Sequence, residues 1–240
     1  MPFFEHHDAQ IHYEVHGDGY PLLLIAPGGM RSSIPFWEKA PWNPIQQLSA
    51  GYQVIAMDQR NAGQSTAPVT GTENWQTFTT DQLALLDHLG VGTFHVAGMC
   101  IGGPYIMGLI EAAAERVSSA VIFQTIGLAD NRDAFYELFD GWAAELKSTY
   151  PEVNEGQWQD FKRAMFGGEF LFNVSEEFVR DCKTPLLVLM GNDLYHPAET
   201  SRKIAELASN VTFIEDWKEP TFHDMAKTAV EKFLSQYTPA

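Results

Sequence analysis

The sequence predicts an α/β fold built on a mostly parallel sheet, with antiparallel N-terminal strands and a helical cap insertion. Two patterns support this prediction: short apolar runs recur along the chain, and segments with helical spacing of apolar residues lie between them. Most runs are continuously apolar, as expected of strands that are buried on both faces of a parallel sheet. The runs are Ile11–Val15, Leu22–Ala26, Gln53–Met57, Phe94–Ala97, Ala120–Phe123, Leu186–Met190 and Val211–Ile214.

The first predicted strand is followed by a polar loop that contains glycine. Residues His16–Gly19 separate Ile11–Val15 from Leu22–Ala26, and this spacing predicts a hairpin between the two runs. The sheet should therefore open with antiparallel strands. The histidines of this segment are expected to face solvent, and they are His6, His7, His12 and His16.

Helix signals separate the later runs. Thr79 and Gln82 have the spacing of a capping box ahead of leucines at helical spacing, and Gly90 predicts the end of that helix. Apolar residues at helical spacing between Ala226 and Tyr237 predict a C-terminal helix. This alternation of strands and helices indicates right-handed crossovers in a largely parallel sheet.

Residues 125–182 break this alternation, because they contain no strand-like run and are rich in aromatic residues. We interpret them as a helical cap insertion, 125–182, in an α/β core formed by residues 1–124 and 183–240. Most of the aromatic side chains should belong to the hydrophobic core, and a few should line a substrate pocket, since such pockets are mostly apolar. The aromatic residues are Phe135, Tyr136, Phe139, Trp142, Tyr150, Trp158, Phe161, Phe166, Phe170 and Phe172.

The composition favours a globular protein and makes nucleic acids and anionic membranes poor partners. Acidic residues number 31 and basic residues 15, and the net charge of -16 would repel nucleic acids and anionic membranes. No apolar run reaches the roughly 18–20 residues of a membrane span, and the first residues lack the pattern of a secretory signal. The cysteines, Cys100 and Cys182, are therefore expected to be free thiols in a reducing, cytoplasmic compartment.

The sharpest motif is the segment Gly98-Met99-Cys100-Ile101-Gly102, which lies between a predicted strand and a predicted helix. A nucleophile on so tight a turn needs neighbours without side chains two residues before and after it, and Gly98 and Gly102 meet that need. The turn also places Cys100 near a helix N-terminus, where the helix dipole favours a thiolate. Cys182 has no such context and is expected to be structural. No metal or cofactor is expected, because no ligand spacing matches a metal site and no phosphate-binding loop is present.

This motif resembles the nucleophile turn of the α/β-hydrolase superfamily, with Cys100 at the position usually held by serine. The resemblance covers nearly the whole chain and implies an α/β-hydrolase sheet, most similar to that of the small esterase and C–C-hydrolase branch. It also implies an oxyanion hole, with one donor from the backbone N–H of Ile101 and a second from the loop at residues 26–30. Gly29 or Met30 is the expected second donor.

The resemblance further implies that the catalytic acid and base follow the nucleophile in that order. Asp193 follows the predicted strand Leu186–Met190 and matches the acid. His223 lies between the last predicted strand and the final helix and matches the base. All these loops lie at the carboxyl edge of the sheet, where α/β proteins bind ligands. His196 is the alternative base, and Asp130 is the alternative acid.

A cysteine nucleophile predicts a particular chemistry. A thiol paired with histidine can be partly ionised before substrate arrives, and it forms a thioester acyl-enzyme. The sequence therefore predicts a hydrolase of a small ester, thioester or lactone, with a small-molecule acyl substrate and a Cys100–His223–Asp193 triad. The alternatives are an acyltransferase, a lyase-type enzyme, or a non-catalytic ligand-binding protein on the same fold. Haloalkane dehalogenases and epoxide hydrolases of this fold are excluded, since they need a carboxylate where this chain has Cys100.

Overall fold

The fold is built around one eight-stranded sheet. The computed structural model describes residues 2–239. In chain order the strands are β1 (Phe3–His6), β2 (Ala9–His16), β3 (Tyr20–Ile25), β4 (Tyr52–Met57), β5 (Phe94–Met99), β6 (Val117–Phe123), β7 (Leu186–Leu189) and β8 (Val211–Ile214). They lie in the order β1-β2-β4-β3-β5-β6-β7-β8, where the pairs β1–β2 and β2–β4 are antiparallel and all others are parallel. The predicted fold class is confirmed.

The central strands are buried on both faces of the sheet. Every residue of β5 is buried. Its side chains contribute alternately to two hydrophobic clusters, with Phe94 and Val96 in one cluster and Ala97 and Met99 in the other. Both faces therefore require apolar residues, which is why continuous rather than alternating apolar runs predict these strands.

Helices flank the sheet and form most of the connections between its parallel strands. They are α1 (Pro44–Leu48), α2 (Trp75–His88), α3 (Gly102–Ala113), α4 (Arg132–Leu146), α5 (Glu155–Phe166), α6 (Glu176–Asp181), α7 (Ala198–Leu207) and α8 (His223–Tyr237). The segment predicted as an insertion is helical, since α4, α5 and α6 lie between β6 and β7. Its assignment as a cap, separate from the core, stays a prediction. Within residues 2–239, no helix combines the length and apolar character needed to cross a membrane.

The N-terminal strands pair differently from the prediction. The predicted hairpin between β2 and β3 is wrong, because β2 pairs with β1 on one side and β4 on the other. The loop after β2 packs against the backbone that leads into β4: a Cβ atom on Gly17 would lie 2.1 Å from the carbonyl oxygen of Ser49. The chain thus passes the end of β4 before it enters β3, and the glycine-containing loop serves as a crossover instead of a tight turn.

His12 is buried, which corrects the expectation that it faces solvent. Its Nδ1 lies 2.9 Å from Oδ2 of Asp58, in the loop after β4. The same carboxylate accepts backbone N–H groups of Ile34 at 2.7 Å and Gln64 at 2.8 Å. Because buried polar groups need partners, this cluster ties the loops after β3 and β4 to β2.

Helix α2 begins earlier than the predicted capping box. Asn74 is its N-cap, and its side chain and that of Thr77 bond each other's backbone N–H groups. Thr79, the predicted cap, lies inside the helix and donates its hydroxyl hydrogen to the carbonyl of Trp75 at 3.2 Å. Gly90 follows the helix end in the left-handed region, with φ of 69°, as expected of a helix stop.

Destabilisation by Gly103→Ala tests the packing that fixes the turn between β5 and α3. A Cβ atom on Gly103 would lie 1.9 Å from Oγ1 of Thr125, so neighbouring atoms must move. We expect the free energy of unfolding to fall by about 1–3 kcal/mol, measured by urea denaturation. Gly92→Ala is the control, because nothing lies within 4 Å of the added atom. Equal unfolding free energies for the two variants would contradict this description of the turn.

Candidate active site

Cys100 occupies the sharp turn between β5 and α3. It is a non-glycine residue with a φ of 63°, a left-handed conformation that costs on the order of 1–3 kcal/mol. Backbone hydrogen bonds hold this conformation: the N–H of Cys100 donates to Phe123 at 3.1 Å, and its carbonyl accepts from Gly103 and Ile126, each at 3.1 Å. The surrounding backbone therefore fixes the direction in which the thiol points.

The glycines on either side of Cys100 make close backbone contacts, where an added Cβ atom would be crowded. A Cβ atom on Gly98 would lie 3.0 Å from Cα of Gly102. A Cβ atom on Gly102 would lie 3.2 Å from the carbonyl oxygen of Ile25, at the end of β3. The tight turn predicted from the sequence is thus what the structure shows at these positions.

Asp193 and His196 lie together on the loop after β7. Oδ1 of Asp193 is 2.7 Å from Nδ1 of His196, and it also accepts the backbone N–H groups of Tyr195 and His196, each at 3.1 Å. The backbones of Asp193 and His196 bond each other in both directions at 3.2 Å. The imidazole is therefore oriented by the loop from which it projects. Its side chain is 12% exposed, against 47% for that of Asp193.

The ring of His196 also interacts with the Cys100 thiol. Since Nδ1 is engaged by Asp193, the remaining nitrogen is Nε2. This atom is buried, and no group within residues 2–239 meets ordinary hydrogen-bond geometry with it. Besides Asp193, the side chain that interacts with the ring is the thiol of Cys100. The structure thus brings Cys100, His196 and Asp193 together.

These contacts shift the pKa values of Cys100 and His196 in opposite directions. Burial raises the pKa of Cys100, but the hydrogen bond and charge of His196, with backbone hydrogen bonds from Gly28 and Ile101, outweigh burial and lower it. Burial lowers the pKa of His196, but hydrogen bonds and charges of Asp193 and Cys100 outweigh it and raise the pKa to about 9. Both shifts favour a thiolate next to an imidazolium.

Asp193 supplies the negative charge behind the imidazole. Burial raises the pKa of Asp193, but the hydrogen bond and charge of His196, then the charge of Lys218, outweigh burial and hold the pKa well below its usual range. Nζ of Lys218 lies 3.5 Å from Oδ2 of Asp193 and donates to Oδ1 of Asn192 at 2.6 Å. Asp193 therefore stays ionised at neutral pH.

One backbone N–H beside the Cys100 thiol belongs to a residue predicted as an oxyanion donor. It is that of Ile101, and it helps to lower the pKa of the thiol. The second N–H that reaches the thiol belongs to Gly28, which the sequence argument missed. Gly29 lines the adjacent cavity, whereas Met30 is buried and does not line it. A signal for this loop is its paired glycines, since Gly28 has a φ of 124° and Gly29 a φ of 60°.

The structure does not bring His223, the predicted base, to Cys100. His223 is the first residue of α8 rather than a loop residue. Its Nε2 lies 2.8 Å from the carbonyl oxygen of Lys218, and its ring packs 5.4 Å from that of Trp42. The alternative base, His196, occupies the position beside the thiol. The spacing Asp193-x-x-His196 was the available signal, because three residues allow the carboxylate to reach Nδ1 within one loop.

Two other candidates lie apart from this constellation. Asp130, the alternative acid, is exposed on the loop after β6, and the carboxylate bound to His196 is that of Asp193. Cys182 is buried, and burial raises the pKa of its thiol. Both cysteines are free thiols. No group of three or more metal-ligating side chains with suitable geometry occurs within the described part of the chain.

A small cavity opens beside the Cys100 thiol. Its volume is about 240 Å³. Its walls come from the loop after β3, the helices α4 and α5, and the loops after β6 and β7. The lining residues are Gly28, Gly29, Cys100, Ile126, Phe135, Leu138, Phe166, Tyr195 and His196. The cavity therefore places a thiol, an imidazole and backbone donors on one side and apolar side chains on the other.

Comparisons with known proteins point to one family. The family described as "alpha/beta hydrolase fold" matches residues 21–168. A soluble epoxide hydrolase of Corynebacterium sp. (strain C12) is 38% identical over 136 residues, covering 54% of this chain and 45% of that protein. A carboxylesterase of Bacillus subtilis (strain 168) is 26% identical over 203 residues, covering 73% of this chain and 66% of that protein. The chain spans about half the length of several curated relatives that it matches.

A solved structure shows the same architecture over the whole chain. The enol-lactonase of Burkholderia xenovorans LB400 superposes with a TM-score of 0.72 at 19% identity, covering 98% of this chain and 100% of that chain. At this identity the similarity is one of fold.

The pH dependence of alkylation tests the electrostatics of the site. Because His196 and the two N–H donors favour the thiolate, Cys100 should react with iodoacetamide with an apparent pKa below the value of about 8.5 for a free thiol. Cys182 is the internal control, since burial raises its pKa. Peptide mapping by mass spectrometry, between about pH 5 and 10, measures both cysteines in one protein. The same pH dependence at both positions would contradict the proposed thiolate stabilisation.

Proposed function

Because the chain belongs to the alpha/beta hydrolase fold family, we propose that it is a hydrolase of small esters, thioesters or lactones with Cys100 as its nucleophile. One observation carries this proposal: the imidazole of His196 lies between the carboxylate of Asp193 and the thiol of Cys100. A nucleophile, a base and a group that orients the base are the constellation that acyl transfer requires.

In this proposal His196 takes the role that the sequence argument gave to His223. Asp193 keeps its role as the acid, and Cys100 its role as the nucleophile. Ile101 keeps its role as an oxyanion donor, and Gly28 joins it. A ligand-binding protein without turnover would have no need for a buried imidazole between a carboxylate and a thiol, so the geometry favours an enzyme.

The first half of the reaction forms a thioester. The thiolate of Cys100 attacks the acyl carbonyl carbon, and the carbonyl oxygen becomes negatively charged. The N–H groups of Gly28 and Ile101 stabilise this oxyanion, because they lie beside the sulfur, whose negative charge passes to the carbonyl oxygen when the C–S bond forms. As the carbonyl re-forms, the bond to the leaving group breaks, and the imidazolium of His196 donates its proton to the departing oxygen or sulfur.

The second half of the reaction uses His196 as a base. The neutral imidazole that remains takes a proton from water, whose oxygen attacks the thioester carbon. Collapse of this intermediate expels the thiolate of Cys100 and releases the carboxylic acid, whose proton is lost to solvent. Asp193 stabilises the imidazolium in both halves and orients Nε2 toward the sulfur.

The names of similar proteins agree with acyl chemistry but do not fix the substrate. A carboxylesterase and an enol-lactonase, which both act on esters by name, are among the similar proteins. The epoxide hydrolase is a different case, because epoxide hydrolases of this fold use a carboxylate at the nucleophile turn. With Cys100 at that position, we do not extend epoxide hydrolysis to this chain.

Substitution of the two candidate histidines tests the assignment of the base. We expect His196→Ala to lower kcat/KM for p-nitrophenyl acetate by about 10²–10⁴, because the variant loses its general acid and base. His223→Ala is the matched control and should retain most of the activity, since its ring contacts Lys218 and Trp42. Circular dichroism and thermal unfolding establish that both variants are folded. The reverse result, with His223→Ala inactive and His196→Ala active, would overturn the assignment.

The pH profile of the wild-type protein provides an independent test. The active form carries a thiolate and an imidazolium, so kcat/KM should fall below the lowered pKa of Cys100 and fall again above about pH 9, where His196 loses its proton. Steady-state kinetics in buffers of constant ionic strength measure both limbs. A profile that keeps rising above pH 9, as for a free thiol, would be inconsistent with His196 as the proton donor.

A further inference from the structure

The cavity beside Cys100 is small and is lined mainly by apolar side chains. We propose, on the basis of the proposed hydrolase function, that it selects uncharged, apolar acyl groups of about the size of a benzoyl group. The proposal rests on three features of the cavity: the chemistry of its lining, its volume, and the place of the Leu138 side chain beside Gly29.

No Asp, Glu, Lys or Arg side chain lines the cavity. Beyond Cys100, His196 and the two glycines, its lining consists of Ile126, Phe135, Leu138, Phe166 and Tyr195. An acyl group that carried a second carboxylate would lose its hydration there and find no cationic side chain in exchange. Burial of an unpaired charge is costly, so dicarboxylic acyl groups should be rejected.

The volume sets the size of the acyl group. A cavity of about 240 Å³ lies below the roughly 300–1,000 Å³ of pockets that bind drug-sized ligands. At about 30 Å³ for each water molecule in the liquid, it has room for roughly eight non-hydrogen atoms. A benzoyl group has about that many non-hydrogen atoms, whereas a long-chain fatty acyl group exceeds the space.

Aromatic packing fixes most of the wall. The rings of Phe135 and Phe166 stack at 5.4 Å, and Phe135 meets the ring of Tyr195 edge-on at 5.7 Å. Phe135 is also 1% exposed, so it has little freedom to move aside. Because these rings support one another across α4, α5 and the loop after β7, the pocket keeps its shape when an acyl group enters.

Leu138 lines the cavity beside the oxyanion loop, the loop after β3 that carries Gly28 and Gly29. Its Cδ2 atom lies 2.7 Å from the position that a Cβ atom on Gly29 would occupy, so it packs directly on that loop. The ion pair between Arg31 and Glu145, at 2.8 Å, ties the far end of α4 to the same region of the chain. We infer that Leu138 limits how far an acyl chain extends past the oxyanion loop.

A series of p-nitrophenyl esters tests this proposal, because the leaving group is constant and only the acyl group varies. We expect kcat/KM for the benzoate to exceed that for the hemisuccinate, which carries a charge, by at least about 10-fold. The benzoate should exceed the decanoate as well, since the decanoyl chain is too long for the cavity. Leu138→Ala should raise kcat/KM for the decanoate relative to the acetate by about 10-fold.

Leu146→Ala is the matched control for Leu138→Ala. Leu146 lies on the same helix and is partly buried, but it does not line the cavity. Its substitution should leave the acyl-chain preference unchanged. Equal kcat/KM values for benzoate and hemisuccinate, or the same chain-length preference in Leu138→Ala and the wild type, would overturn the proposed selectivity. Failure of every ester to react would instead contradict the proposed hydrolase function, so the two failures are distinct.

Discussion

The proposed chemistry depends on one interaction: the imidazole of His196 bonds Asp193 through one nitrogen and faces the Cys100 thiol with the other. Without the carboxylate, burial would favour the neutral ring. Without the ring, burial would favour the neutral thiol. The two groups therefore keep each other charged in a place where neither would be charged alone.

The proposed acid and base lie close together in the sequence. Asp193 and His196 are three residues apart on one loop, and their backbones bond each other at 3.2 Å. Orientation of the imidazole thus depends on one turn after β7. The loop after β8 makes other contacts. Nε1 of Trp217 donates to the carbonyl of Met190 at 2.8 Å, and Nζ of Lys218 lies 3.5 Å from Oδ2 of Asp193. In the proposed mechanism this loop contacts the loop that carries Asp193 and does not supply the base.

Sequence patterns predicted those features that depend on short segments. The turn at Cys100 follows from glycines within the same five residues, and Asp193 is proposed as the acid because it follows an apolar run at the place that the resemblance to the α/β-hydrolase superfamily implies. The histidine could not be chosen in this way. His196 and His223 both follow predicted strands. His223 is the first residue of α8, and its ring packs against Trp42 instead of the thiol. Chain order states which loop carries a residue, but it does not state where the side chain points.

Strand pairing was hard to predict for a similar reason. A glycine-containing loop between two apolar runs fits a hairpin and a crossover equally well. In the folded chain β2 pairs with β4 instead of β3, and Gly17 lies against the backbone at Ser49. Burial of His12 likewise depends on Asp58, which is distant in the sequence and close only after folding. Long-range partners of polar side chains are thus the part of this structure that local patterns leave open.

Direct trapping of the acyl-enzyme tests whether Cys100 is the nucleophile. The protein is mixed rapidly with an activated ester and quenched in acid, and its peptides are mapped by mass spectrometry. We expect an acyl group on the sulfur of Cys100, removable by hydroxylamine, that appears before the acid product and vanishes as the ester is consumed. Acylation of a different residue, or undiminished ester hydrolysis by a Cys100→Ala variant, would contradict it.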